Sequence, residues 1–182
     1  MLNIVLYEPE IPANTGTIGR SCVLTDTKLH LIEPLGFSLD DRMIRRAGMG
    51  YWHDLDVTIY PDWEVFKQAN PGARMWFMSA RAAHNYAQVS YEDGDYLVFG
   101  KESEGLPQDL LDEYADCGLR IPQLVREGLT PATSHGPLSD PTDPAAVSLN
   151  LSNAANIVLF EALRQLDFPG LESDGTPQGD YG

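Results

Sequence analysis

The sequence predicts an α/β protein: a largely parallel sheet with helices on both of its faces. Short apolar runs that suit buried strands alternate along the chain with segments of helical pattern, as is typical of this class. One strongly amphipathic helical stretch, residues 148–166, lies near the end of the chain. With 182 residues, the chain is long enough for one domain with a substantial core.

The expected elements follow one another in a regular order. The first strand, residues 2–7, is followed by a helical segment from Pro12 to Thr25, in which Asn14 is a suitable N-cap. Gly16 and Gly19 weaken this helix, which makes sense if another backbone or a ligand approaches closely. We expect further strands at 28–33, 56–60, 74–79, 96–100 and 119–122, and further helices at 40–47, 62–68 and 107–115.

Residues 148–166 carry the clearest helical pattern. Their apolar residues recur at three- and four-residue spacing and therefore share one face: Leu151, Ala155, Val158, Leu159, Ala162, Leu163 and Leu166. Ser148 or Asn150 can cap the first turn, where unpaired backbone amides favour an oxygen acceptor. On this pattern alone, a well-capped core helix is the simpler interpretation.

Composition indicates a soluble globular protein without identifying its partner. No apolar run approaches the roughly 20 residues that span a bilayer, and the N-terminus shows no basic leader followed by an apolar stretch. Cys22 and Cys117 do not make a disulfide framework, so we expect a cytoplasmic protein. The formal charge of −15 argues by itself against a nucleic-acid partner. It could instead reflect a saline habitat, and the cluster of Arg42, Arg45 and Arg46 leaves a local basic face open.

Two segments lack apolar periodicity. Residues 126–146 are rich in Pro, Gly, Ser, Thr and Asp and form a long loop of the kind that is usually functional or mobile. Residues 169–182 are rich in Gly, Pro and Asp, and we expect a disordered tail there. The folded domain is therefore predicted to span residues 1–168, with the loop as an insertion.

Three polar, mostly glycine-containing stretches could carry chemistry. The first, Pro12–Arg20, follows a strand and resembles a phosphate-binding turn without matching a dinucleotide or Walker fingerprint. The second, Phe99–Pro107, joins a strand to a helix, which is where ligands bind in parallel α/β sheets. The third begins at Ser148. Taken singly, each has an ordinary alternative, namely a surface arginine, a connecting loop and a helix cap.

Together the three stretches resemble the three motifs of the TrmH-like branch of the SPOUT RNA methyltransferases. The similarity is greatest to the TrmL-type tRNA (cytidine/uridine) 2′-O-methyltransferases, which modify the wobble nucleotide. It covers about residues 1–168 and is colinear, which makes it more specific than any single motif. The matching segments are residues 2–12, 32–37, 45–48, 91–100, 105–107, 120–122 and 150–153.

This resemblance implies features that spacing alone does not show. It implies a C-terminal trefoil knot, a homodimer whose shared interface completes the sites, S-adenosylmethionine as cofactor and tRNA as substrate, with neither a metal nor a membrane involved. The implied cofactor-binding residues are Met78, Gly100, Glu102, Ile121 and Ser148. The implied catalytic residues are Arg20, Asn14, Ser148 and Asn150.

The residue types suit methyl transfer to a 2′-hydroxyl. The protein must align a weak nucleophile with a reactive methyl group and stabilise the developing alkoxide. Members of this family place an arginine at the 2′-oxygen, sometimes as the base. Because a guanidinium rarely loses its proton, we expect Arg20 to anchor phosphate and alkoxide instead.

Two departures from the family pattern bear on the substrate. Thr17 replaces a second Asn in the first motif, and Val147 replaces an Arg before the serine of the third motif. Arg126, in the preceding loop, is a candidate replacement for that charge. The sequence therefore leaves three functions open: a tRNA 2′-O-methyltransferase, an rRNA 2′-O-methyltransferase, and a knotted dimer that binds RNA or cofactor without catalysis.

Overall fold

A computed structural model describes residues 1–39, 50–123 and 149–172, which contain one seven-stranded sheet. The order across the sheet is β3-β2-β1-β6-β4-β7-β5, and every neighbouring pair is parallel. The strands are β1 Asn3–Tyr7, β2 Lys28–Ile32, β3 Val57–Tyr60, β4 Met75–Met78, β5 His84–Asn85, β6 Tyr96–Phe99 and β7 Gly118–Arg120. The predicted parallel α/β sheet is confirmed.

Four α-helices and three short 3₁₀ turns accompany the sheet in the described ranges. The helices are α1 Pro12–Leu24, α2 Trp63–Ala69, α3 Gln108–Glu113 and α4 Leu151–Gln165, and the 3₁₀ turns are Gly50–Asp54, Tyr86–Gln88 and Ala115–Cys117. The helix predicted at 40–47 lies outside the described residues. Strand β5 was not predicted, because two residues are too few to show a periodicity.

The sheet separates two hydrophobic cores, as strand geometry requires. Ile4 and Leu6 point to one face, where they pack with α1 and α4, and Val5 points to the other. On that second face the buried Phe66 of α2 and Leu110 of α3 complete the packing. The prediction of helices on both faces is therefore confirmed.

Helices α1 and α4 both begin beside the sheet's carboxyl-terminal edge, but their first turns are capped differently. Helix α4 is capped by Asn150, whose Oδ1 accepts from the backbone amides of Ser152 and Asn153 at 2.9 and 3.3 Å. Helix α1 follows Ile11 without a side-chain cap. The prediction that Asn14 caps α1 is wrong, because the Asn14 side chain bonds to other segments.

The glycines of α1 are explained by packing. A Cβ on Gly19 would lie 3.1 Å from Leu55 Cδ2 and 3.6 Å from the Trp52 ring. The Tyr51 hydroxyl donates to the Gly16 carbonyl. The close neighbours of Gly19 in the described residues are therefore side chains of residues 51–55.

Two predicted segments fall wholly or largely outside the described residues. The inserted loop, 126–146, is not described, and neither are residues 173–182 of the predicted tail. Leu171, within the described part, packs against the core on the α1 and α4 side. None of the helices in the described ranges is long and apolar enough to cross a membrane.

Candidate active site

A cleft of about 410 Å³ opens at the carboxyl-terminal ends of β4, β6 and β7, beside the N-termini of α1 and α4. Strand β1 is the point where the order of strands reverses, since β2 and β3 lie on one side of it and the later strands on the other. Crevices at such a reversal bind ligands in open parallel sheets. Apolar side chains, including Phe99, Leu119, Leu149 and Leu151, form much of its lining.

The loop that follows β6 folds back on itself beside the cleft. Gly105 has a positive φ of 74°, and its amide donates to the Lys101 carbonyl at 2.9 Å. A Cβ on Gly100 would lie 2.1 Å from the Gly105 carbonyl carbon and 2.2 Å from the Leu106 nitrogen. Gly100 is therefore required by its own loop, whatever ligand enters the cleft.

A chain of hydrogen bonds joins the three stretches singled out in the sequence. The Glu102 carboxylate accepts from the backbone amides of Glu10 and Ile11 at 2.8 and 3.3 Å. The same carboxylate accepts from Asn14 Nδ2 at 2.8 Å. Asn150 Nδ2 in turn donates to Asn14 Oδ1 at 3.0 Å. These contacts, here called the cleft network, fix the starts of α1 and α4 against the loop after β6.

Ionic contacts reinforce the same loop. Lys101 Nζ lies 3.2 Å from a carboxylate oxygen of Glu8 and 3.2 Å from one of Glu104. Hydrogen bonds to Glu104 and Glu8 raise the pKa of Lys101, so it remains an ammonium. Ser103 donates from its amide and its hydroxyl to the Glu10 carboxylate, at 2.8 and 2.9 Å. The loop is thus bound at two points to the segment that precedes α1.

Most of the predicted site residues line this one cleft. They are Asn14, Met78, Gly100, Glu102, Ile121 and Asn150. Ser148 lies outside the described residues. The carboxylate of Glu102 already serves as acceptor for three donors, so its visible role is to hold α1 in position.

Arg20 is not among the described residues that line the cleft. It is exposed on α1, with its guanidinium carbon 5.2 Å from the centroid of the Tyr51 ring. Burial raises the pKa of the Tyr51 phenol, and the nearby Arg20 charge opposes that rise. Within one chain, Arg20 and the cleft are therefore separate.

The polar residues of the cleft that were not predicted include Arg81, Lys101 and Gln123. Each follows the end of a strand that reaches the cleft, by three, two and three residues respectively. Their positions just beyond β4, β6 and β7 were the available signal, because side chains at these strand ends converge. The described residues contain no group of His, Cys, Asp and Glu that could hold a metal ion.

Comparison with known proteins agrees with this geometry. Residues 1–127 match the SpoU rRNA methylase family. The chain is 43% identical over 171 residues to a tRNA (cytidine(34)-2′-O)-methyltransferase of Escherichia coli K12, covering 93% of this chain and 97% of that protein.

Solved structures also superpose well on the chain. A structure concerned with 2-OH methylation of C/U34 on tRNA is 37% identical, with a TM-score of 0.75 and coverage of 92% of this chain and 97% of the other. An AdoMet-bound rRNA methyltransferase from Sinorhizobium meliloti is 26% identical, with a TM-score of 0.69, over 91% of this chain and 56% of that chain. With its parallel fold and its cleft at the strand ends, this chain belongs to the SpoU methylase family and is an RNA methyltransferase.

Proposed function

We propose that this protein transfers a methyl group from S-adenosylmethionine to the ribose 2′-hydroxyl of nucleotide 34, a cytidine or uridine, in tRNA. The observation that carries the proposal is the cleft network, which gathers three separate stretches of the chain around one cleft. The relatives named above provide the reaction and the nucleotide.

The cleft has the size and chemistry that the cofactor needs. A volume of about 410 Å³ lies in the range of small-molecule sites, and its apolar lining suits an adenosine and a thioether carbon chain. Met78, Gly100 and Ile121, which follow or end strands at the cleft, would hold the cofactor, together with Ser148. When bound, the cofactor supplies a methyl group on a sulfonium, which is already a good electrophile.

Glu102, Asn14 and Asn150 act in this proposal by fixing the shape of the cleft. Asn14 donates one hydrogen bond to Glu102 and accepts one from Asn150, so its amide plane is held from both sides. Asn150 Oδ1 accepts from Ser152 as well, through its hydroxyl at 2.7 Å. Such fixed groups lower the cost of aligning a nucleophile with its target.

Arg20 acts on the substrate, as an anchor for charge on the phosphate and the developing 2′-oxyanion. A guanidinium donates hydrogen bonds and does not serve as a base, so another group or water takes the proton. Because Arg20 lies away from the cleft of its own chain, the proposal places it at the cleft of a second copy. This role requires a homodimer.

Exposed apolar side chains support the homodimer. Leu24 on α1 is 69% exposed, and Ile157 and Phe160 on α4 are 37% and 47% exposed. Single exposed apolar residues are ordinary, but these belong to two helices that pack on each other. We expect light scattering at micromolar concentration to show a dimer, and Phe160→Glu to shift it toward monomer with loss of activity. If the wild type were a monomer, Arg20 could not act at the cleft of a second copy, and that role would be contradicted.

The order of the strands supports a C-terminal trefoil knot. Strand β7 comes after β6 in sequence, yet it lies between β4 and β5 and pairs with both. The chain must therefore return to the space between two earlier strands before α4 packs on the sheet. Insertion of this kind is what a knotted C-terminal region requires.

Methyl transfer to defined RNA tests the function. Purified protein, S-adenosylmethionine with a labelled methyl group and a tRNA with C or U at position 34 should give one methyl group per tRNA. The same tRNA with a 2′-deoxynucleotide at position 34 is the matched control and should accept none. Transfer to rRNA but not to tRNA, or no transfer with the cofactor bound, would overturn the proposal and favour one of the two other functions.

A further inference from the structure

The basic side chains of the described residues fall into two groups. The chain has 12 Lys and Arg against 27 Asp and Glu, so most cations have a carboxylate within reach. Those that form salt bridges are Lys28, Lys67, Arg74, Lys101 and Arg164. Among residues 1–39, 50–123 and 149–172, Arg20, Arg81 and Arg120 pair with no carboxylate.

Arg81 and Arg120 lie at the same edge of the sheet. The backbone amide of Ser79 donates to the Leu119 carbonyl at 2.9 Å, which ties the end of β4 to β7. Arg81 follows Ser79 by two residues, and Arg120 directly follows Leu119 at the end of β7. Both arginines therefore stand at the carboxyl-terminal edge where the cleft opens.

The surroundings of Arg81 orient its guanidinium without neutralising it. Arg81 lines the cleft and is exposed, and its Nη1 donates to Gln108 Oε1 at 3.1 Å. Gln108 Nε2 is held in turn by Asp112 Oδ1 at 2.8 Å. The acceptor that faces Arg81 is thus a neutral amide, and the charge stays available. Arg120 is half-buried at the neighbouring strand end.

We propose that Arg81 and Arg120 bind backbone phosphates of the RNA substrate beside the cofactor cleft. The inference rests on the proposed function, in which Arg20 already serves the reacting nucleotide. A protein with a net charge of −15 repels a polyanion, so binding must come from cations that its own carboxylates do not neutralise. The planar fork of arginine suits phosphate oxygens.

The test measures tRNA affinity as a function of salt for Arg81→Gln, Arg120→Gln and the double variant. Each single change should weaken binding about tenfold and lower the slope of log affinity against log salt by about 1. S-adenosylmethionine affinity should be unchanged. Arg81→Lys and Arg120→Lys should keep the salt slope, since the charge remains. Lys67→Gln, which removes a cation paired with Glu64, is the matched control and should bind tRNA like the wild type.

Other results would overturn the inference in distinguishable ways. Unchanged tRNA affinity and slope in the double variant, with an active wild type, would remove this phosphate site and leave the proposed function standing. Weaker cofactor binding by Arg81→Gln with an unaltered salt slope would assign Arg81 to the cofactor instead. A wild type that neither binds nor methylates tRNA would remove the proposed function, and the phosphate site with it.

Discussion

Two clusters of polar side chains in this protein are similarly well bonded but differently surrounded. The first, here called the His30 network, is enclosed. His30 Nε2 donates to Asn3 Oδ1 at 3.1 Å, and Nδ1 therefore accepts from the Tyr60 hydroxyl, also at 3.1 Å. Asn70 donates to the Tyr60 hydroxyl at 3.4 Å and accepts from that of Tyr96 at 3.0 Å. Burial lowers the pKa of His30 to about 4, so the ring is neutral near pH 7.

The side chains of the cleft network are equally well hydrogen-bonded, but they border open space. Glu102, Asn14 and Asn150 hold three segments of the chain around a cleft of about 410 Å³. In the His30 network, by contrast, the Tyr60, Phe66 and Tyr96 rings surround the imidazole. The comparison shows that hydrogen bonding alone does not mark a functional site. The distinguishing feature is whether the bonded groups enclose one another or shape a space for a ligand.

The largest effect should follow from breaking the loop that the cleft network holds. We predict that Gly100→Ala destabilises the protein by about 2 kcal/mol or more and abolishes detectable cofactor binding, because the new Cβ would meet backbone atoms of Gly105 and Leu106. Thermal unfolding and titration calorimetry measure both effects. Gly50→Ala is the control, since a Cβ there has no atom within 4 Å among the described residues. Equal stability of the two variants would contradict the close packing of Gly100 against the backbone of Gly105 and Leu106.

A change at Arg20 should affect the reaction without affecting the cleft. We predict that Arg20→Ala lowers the single-turnover methylation rate by about a hundredfold or more, which is the scale for losing one preorganised donor. Cofactor affinity should change little, because the described residues proposed to hold the cofactor lie at the ends of β4, β6 and β7 and not on α1. Arg20→Lys should recover only part of the rate, since a point charge does not reproduce the planar fork. Near-wild-type rates in both variants would remove Arg20 from the site.

Acid should weaken the protein through the His30 network. A histidine in the unfolded chain has a pKa near 6.5, whereas folded His30 has a pKa of about 4. Between these values the unfolded chain binds the proton more readily. The contribution of neutral His30 to folding stability is therefore complete above pH 6.5 and is lost as the pH falls toward 4. We predict that His30 lowers the free energy of unfolding by about 2 kcal/mol between pH 7 and pH 5. Denaturant unfolding of the wild type and of His30→Gln at both pH values measures it. An identical pH dependence in the two proteins would contradict a buried neutral His30.

Local patterns predicted the elements, but not the contacts between remote segments. The short apolar run of β1 and the three- and four-residue spacing of α4 located both elements, and Asn150 was among the predicted caps. The bond between Asn14 and Asn150 spans 136 positions, and no periodicity records such a pairing. For the same reason Asn14 was taken for a cap.

The glycine of the second stretch and the arginine of the first show the same limit. Gly100 was expected to bind the cofactor, whereas the Gly105 and Leu106 backbone already lies where its Cβ would be. Arg20 was expected at the site, and the structure shows it over Tyr51, away from its own chain's cleft. Each residue type was informative, but its neighbours depend on how the whole chain folds.

The most direct test of the comparison is calorimetric titration of S-adenosylmethionine into five proteins: the wild type, two single variants and the double variant of the cleft network, and one variant of the His30 network. We predict that the wild type binds, and that Glu102→Gln and Asn14→Ala each bind about tenfold more weakly because the loops are no longer fixed. The double variant should lose less binding free energy than the two single variants lose together, with a coupling energy of about 1 kcal/mol, because the two residues share one hydrogen bond. Tyr96→Phe, from the His30 network, should lower the melting temperature and leave affinity unchanged. Wild-type affinity in both cleft variants, or an equal loss in Tyr96→Phe, would contradict the assignment of the cleft network to the cofactor site.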